Sequence, residues 1–523
     1  MLEHLKTHKT LTDWMLAYHT RHQSPIVQIF TNIFGRPWVV ISDYREAQDI
    51  LMRRSKEFDK PDLISDIFYG ISPKFHAGQT TDDAWRHQRK LIQDLVTPAF
   101  LNEVAAPQLH HNFMDLINMW LEKMRLGKGR PFAVKHDIYE TALEAIWAAI
   151  FGLDDISTVT RNQIKLLSSQ MDFPIPSSLD KEVVFPRATA PPAFRAVLEI
   201  TDGIEAVIKS PFPRLTGFFQ RYTPAGRKNH AEKKSFIAKE IAKAKKRIIE
   251  SGVKETKVTN AVDHMLRREN AAAERVGRLP DYSSQMLADE LFGLLIAGHD
   301  TTSTTLLWAL KFLAANQSMQ IKLRAELRSA LFDANSESRI PTAHEIASCQ
   351  NHYLDACIEE INRVSCTGSV PSRNTITDAV VLGHVIPKGT RVCFLGQGHG
   401  ILEPAFPVPE SLHSERYRQV GDERVGSWDL KDMKKFDPER WLVHDPATTT
   451  DVYDSTAGPH IAFGGGLRGC FGKKLAYLEL RMAIVLMVWN FVLEEVPEEY
   501  GSWEAVDMLT HSPIMCYVKL SKA

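Results

Sequence analysis

The ten residues FGGGLRGCFG, positions 463–472, constrain this chain more than any other stretch, because they run straight into the helical text KKLAYLELRMAIVLMVW. That order sets Cys470 at a loop-to-helix junction. Unpaired backbone N–H groups and the positive end of the helix dipole are both expected to lower its thiol pKa toward thiolate. Three consecutive glycines, 464–466, permit strained backbone angles and keep every Cβ out of the way of a large flat ligand. Arg468 adds a rigid guanidinium fork suited to a carboxylate. This inventory fits a planar, dianionic group with a metal at its centre. Zinc or iron–sulfur ligation needs several cysteines close together. The other five here, Cys349, Cys357, Cys366, Cys393 and Cys516, all lie far from Cys470 along the chain.

Around that junction the text is mostly helical. From about residue 82 to 365 apolar residues recur at three- and four-residue spacing among Ala, Leu, Glu, Lys and Arg. Strand-like text is confined to short pieces such as PIVQIF and RPWVVIS, where β-branched and aromatic residues sit between Pro and Gly. The class expected is therefore mainly α with a small β region. The proline-rich stretches 173–192 and 210–224 read as long loops bracketing one helix, because proline removes a donor and clashes with the preceding turn. The basic stretch 227–246 reads as a solvated amphipathic helix with Phe236, Ile237 and Ile241 as its apolar stripe. No fixed-period repeat is present.

Composition excludes several function classes. Lys plus Arg number 63 and Asp plus Glu 64, a net charge of −1, which leaves no global positive field to hold a phosphate backbone, so no nucleic-acid partner is expected. Six cysteines in 523 residues are too few for a disulfide scaffold, and reducing surroundings are expected. No run of about 18 apolar residues occurs, and the N-terminus lacks the apolar segment of a signal peptide. As given, the chain is expected neither to span a membrane nor to be secreted.

A second chemical signal interrupts the apolar pattern 284–315. Asp300, Thr301 and Thr302, in AGHDTT, place polar groups in what reads as a buried helix, where each unpaired one costs about 1–3 kcal/mol. Hydroxyls bonding back to the preceding turn would account for part of this.

The spacing FxxGxRxCxG, with every specified position filled, resembles the haem-binding signature of the cytochrome P450 superfamily. At this chain's residue frequencies, a chance match arises about once per ten thousand such chains. The resemblance implies one P450-like helical domain over residues 1–523, with the N-terminal anchor of microsomal members absent from this chain. It implies haem b, iron protoporphyrin IX, with Cys470 as the metal ligand, Phe463 packed beside the thiolate and Arg468 on a propionate. Gly472 would let the following helix approach the porphyrin.

AGHDTT resembles the family's distal-helix motif, which makes Asp300 and Thr301 the catalytic acid and alcohol that manage protons. Trp85 and Arg89 fit its WxxxR helix and Arg373 its further propionate-binding arginine. Glu360 and Arg363 match its ExxR pair. Glu122 with Arg125 and Glu415 with Arg418 share that spacing, but only 360/363 lies between the distal motif and FDPERW (436–441). That segment resembles the PERF element, with Trp441 where Phe is more usual, and its Arg440 would join Glu360 and Arg363 in a buried, structural charge cluster.

The implied activity is insertion of one oxygen atom from O2 into a small apolar molecule. Electrons would come from NADPH through a separate cytochrome P450 reductase-like flavoprotein, steered by Arg86, Lys90, Lys473 and Lys474. The long linker 401–435 resembles filamentous-fungal members that tailor secondary metabolites. The resemblance also suggests association with the cytoplasmic face of the endoplasmic reticulum, through peripheral membrane contact. Two other classes stand beside this one: a reductase-independent haem-thiolate isomerase or peroxygenase, and a haem protein that binds without turnover. Neither needs delivered protons, so Asp300 and Thr301 argue against both.

Overall fold

A computed structural model describes residues 10–31, 35–60, 62–152, 159–170, 173–251, 258–420, 425–447 and 449–523. Seven helices organise it: α1 Asp83–Ile92, α2 Ala106–Gly127, α3 Lys135–Phe151, α4 Pro224–Ser251, α5 Gln285–Ala315, α6 His352–Ser365 and α7 Lys473–Asn490. Three have side-chain caps of the kind that satisfy orphan N–H groups. Asp82 accepts from Trp85 N at 2.8 Å, Ser284 from Leu287 N at 3.3 Å, and Asn351 from Leu354 N at 2.7 Å.

The long helix α5 runs through the core, packed along α3, while α2 packs on α3 and α7. Leu287, Leu291, Leu295, Leu306 and Leu310 are all buried on it, and truncating one such leucine to alanine costs about 2–5 kcal/mol. Gly298 permits the close approach of α3, since a Cβ there would lie 2.7 Å from Ile146 Cγ1.

The strands form small sheets. The largest joins β1 Ile26–Ile29, β2 Trp38–Ile41, β3 Phe58–Asp59, β4 Ser372–Thr375 and β5 Arg391–Phe394 in the order β1-β2-β5-β4-β3. β1 pairs antiparallel with β2, Ile26 opposite Ile41, and β2 runs parallel to β5, Trp38 opposite Arg391. Both early strands lie where the sequence places them, and the mainly α class with a small β region holds.

One expectation is corrected. Residues 210–224 are not a loop, because Pro213–Tyr222 is a helix with proline in its first turn, where the missing N–H would be unbonded anyway. The basic stretch is helical as expected, within α4, and buries Phe236 and Ile237. Lys233 departs from the solvated pattern. It is buried, and its Nζ donates to Ile71 O at 2.5 Å and Ser72 Oγ at 3.1 Å, 3.5 Å from Asp289 Oδ1. Among the described residues no helix is long and apolar enough to cross a membrane.

Candidate active site

A cavity of about 500 Å³ lies between α5 and the 463–472 loop. The loop folds as its glycines allow: Gly464 and Gly466 have φ of +62° and +63°. A Cβ on Gly466 would lie 2.3 Å from Leu51 O, so the loop sits tightly on the N-terminal helix Tyr44–Arg53. Cys470 N donates to Phe463 O at 2.8 Å, closing the loop. Cys470 is accessible, but the surface it exposes opens on the cavity.

Its thiol does not titrate as the junction alone suggests. Burial pushes the pKa up, outweighing the Gly472 N–H and the charges of Lys60, Lys473 and Arg89 that pull it down. Desolvation therefore exceeds the helix-end effect in the protein alone, and a cationic metal is the partner that would ionise such a thiol outright.

One side of the same cavity gathers cations. Trp85 and Arg89 lie on one face of α1, Arg373 stands on β4, Arg468 on the cysteine loop and Lys60 just after β3, and all five line the cavity. Arg468 stacks 4.5 Å from the Trp85 ring and donates to Gln79 O at 2.7 Å and Thr81 Oγ1 at 3.1 Å. Arg89 lies 4.3 Å from the Phe471 ring.

All four cations are held below their ordinary pKa, burial being the largest cause for each. Arg468 and Arg373 fall to about 10, and Lys60, repelled also by Arg373 and Arg468, falls to about 7. Arg89 moves in the same direction. Such a cluster is electrostatically incomplete and calls for anions. Trp85 Nε1 is buried with no hydrogen-bond partner in the protein, an orphan donor beside those cations. Gly472 leaves open space where a Cβ would stand. A flat dicarboxylate ligand with a thiol-seeking metal fits this donor set.

Thr301 also lines the cavity and donates its Oγ1 to Ala297 O at 2.8 Å, as a hydroxyl returning to the preceding turn does. Asp300 does not meet Thr301 in the cavity. It is buried behind the wall, accepts from Thr510 Oγ1 at 3.0 Å, and burial raises its pKa to about 6. Phe463 lines the cavity, 5.2 Å from the Tyr477 ring.

Lys60, Glu479 and His76 line the cavity without having been signalled by motif. Lys60 is a lone lysine indistinguishable in sequence from a surface residue. Glu479 accepts from Thr302 Oγ1 at 2.9 Å, its other oxygen has no partner, and burial raises its pKa to about 8. A carboxylate in the apolar text of α7 was the available clue. His76 has its Nδ1 2.5 Å from Glu290 Oε1.

The charge cluster lies outside the cavity lining. Glu360 and Arg363 are paired at 2.7 Å, both side chains wholly inaccessible, and Arg440 Nε reaches Glu360 at 3.0 Å. Trp441 Nε1 donates to Glu360 Oε2 at 2.9 Å, a bond that phenylalanine could not supply. The rival Glu122–Arg125 pair is exposed, and Glu415 accepts instead from Gln419.

A thiolate-ligated haem protein is the class that this helical fold and this cavity define. The Cytochrome P450 family model matches residues 2–424 and 431–505, and the chain belongs to that family. Membership implies a haem-thiolate cofactor and a monooxygenase, an oxidoreductase. Cytochrome P450 monooxygenase TRI13 of Fusarium sporotrichioides is 35% identical over 535 residues, covering 98% of this chain and 90% of that protein. Cytochrome P450 monooxygenase GME11363 of Pestalotiopsis microspora is 35% identical over 514 residues, covering 95% and 86%. Cytochrome P450 monooxygenase xilC of Penicillium rubens is 34% identical over 504 residues, covering 95% and 84%.

Proposed function

We propose that residues 1–523 act as one haem-thiolate monooxygenase unit that inserts an oxygen atom from O2 into an apolar small molecule, of the secondary-metabolite kind. The observation that carries this reading is the Cys470 thiol opening on a cavity whose wall holds Arg89, Arg373, Arg468 and Lys60. Cys470 would ligate iron, with Phe463 beside it. Arg373, Arg468, Arg89 and the Trp85 indole N–H would hold the propionates, with Lys60 as a further cation. When bound, the haem supplies oxygen activation, to which thiolate donation contributes by favouring O–O cleavage.

Every other step falls to this chain. Leu63, Ile64, Ile67, Phe100, Ile150 and Leu294 line the cavity and would favour an apolar substrate while excluding water. Thr301 Oγ1 presents a hydroxyl at the cavity wall, and Asp300 supplies the proton behind it.

Electrons come from NADPH through a separate flavoprotein. Arg86, Lys90, Lys473 and Lys474 are all exposed, on α1 and α7, and form the positive face an acidic partner would meet. Peripheral contact with the cytoplasmic face of the endoplasmic reticulum suits such a partnership.

Thr301→Ala tests the assignment of the alcohol. The variant should keep haem and substrate binding yet divert NADPH electrons to hydrogen peroxide, a general acid–base loss of about 10²- to 10⁴-fold in product. An unchanged ratio of product to NADPH consumed contradicts the role.

A further inference from the structure

Helix α5 carries five consecutive hydroxyl residues, 301–305, and they divide into two groups. Thr301, Ser303 and Thr305 donate to the carbonyl four residues back, at 2.8, 2.6 and 2.9 Å, Thr305 Oγ1 lying also 2.9 Å from Thr367 Oγ1. Thr302 and Thr304 reach off the helix. Thr302 turns to Glu479 at the cavity, and Thr304 turns to the far side. There Thr304 Oγ1 lies 2.8 Å from Thr510 Oγ1 and 3.1 Å from Tyr139 Oη, while Thr510 Oγ1 donates to Asp300 Oδ2 at 3.0 Å. Thr304, Thr510 and Asp300 are buried. Tyr139, on α3, is half-buried, with Lys135 Nζ 6.0 Å from its ring.

Counting protons gives this string a direction. A hydroxyl has one hydrogen to donate. Thr510 uses its own on Asp300, so at its bond to Thr304 it must accept. Thr304 has then used its hydrogen and must accept from Tyr139. With Asp300 ionised, every hydroxyl hydrogen along the string therefore points inward, from the Tyr139 phenol, which also interacts with Asp300 itself, to the buried carboxyl.

We propose that Tyr139, Thr304 and Thr510 form the outer leg of proton delivery, relaying solvent protons to the Asp300 carboxyl; this rests on the reading of Asp300 as the proton donor behind the cavity. In one relay event the Thr510 hydrogen passes to Asp300 Oδ2, that of Thr304 to Thr510, and that of Tyr139 to Thr304. Water restores the Tyr139 hydrogen. One proton moves inward, no hydroxyl is left charged, and no electron is transferred. The three are positioning residues acting through Asp300. They come from α3, α5 and the turn between the strands Ala505–Asp507 and His511–Pro513, so the relay exists only in the folded chain.

The test uses the haem-loaded chain with excess reductase, reading NADPH-dependent O2 consumption without added substrate, in H2O and in D2O. Tyr139→Phe and Thr304→Val should keep haem content but slow consumption by about tenfold, within the range of a lost proton-transfer group, and should enlarge the solvent isotope effect. Thr304→Ser, which restores the hydroxyl, should return both readings to the starting values. If Asp300→Asn slows the reaction while Tyr139→Phe leaves rate and isotope effect unchanged, the relay is overturned and Asp300 keeps its role. If Asp300→Asn itself changes nothing, the reading of Asp300 falls and takes the relay with it. Should Thr304→Val fail to hold haem, Tyr139→Phe and Thr304→Ser decide between these outcomes.

Discussion

At the scale of single residues, burial determines more of this site's electrostatics than sequence neighbours do. The Cys470 thiol rises where a helix end alone would lower it, and Arg373, Arg468 and Lys60 all fall. Glu479 gives the clearest consequence for stability. Its ordinary pKa is 4.5, and burial raises it to about 8 in the folded chain. Between those values the folded chain holds a proton that the unfolded chain has released, so stability falls as pH rises through that window. Asp300, raised to about 6, and Glu144, raised to about 7, act in the same direction. Glu479→Gln should therefore make the loss of Tm between about pH 5 and pH 8 shallower. Equal slopes for variant and parent would remove Glu479 from the account. Lys60 and Glu479 were not legible beforehand, since a lone lysine and a lone glutamate carry no spacing; only the fold turns them toward the cavity.

At the scale of elements, the helix α6 and the PERW turn are joined through Glu360. Its two oxygens take Arg363, Arg440, the Trp441 indole and Asp437 N. Glu360→Ala should leave Arg363 buried and uncompensated, costing about 3–5 kcal/mol. Trp441→Phe should cost about 1.5–3 kcal/mol, the value of one hydrogen bond to a charged group. Glu415→Ala should be nearly neutral. Denaturant midpoints of the haem-loaded variants check this ranking, and equal mild effects at 360 and 415 would contradict it. Here the sequence was readable because order along the chain separated one ExxR from its rivals. The 213–222 helix was not readable, because proline looks the same in a loop as in a first helical turn.

At the scale of the whole molecule, chemistry at fixed spacing was legible and long-range partnership was not. The cysteine loop and α5 could be placed from local text alone. The partners of Asp300 could not, since Thr510 and Asp300 stand 210 residues apart and Tyr139 and Thr304 stand 165 apart. A net charge of −1 likewise says nothing of where exposed cations such as Lys473 and Lys474 sit. Reversing both to Glu should slow haem reduction by the flavoprotein at low salt, with the difference shrinking as ionic strength rises. A rate indifferent to charge and salt would exclude docking there. The central claim is that Cys470 is the thiolate on iron, and it is tested most directly by the spectrum of the reduced CO complex. The parent chain should show the red-shifted Soret band of thiolate ligation, and Cys470→Ser should lose it. Persistence of that band in Cys470→Ser would contradict the account.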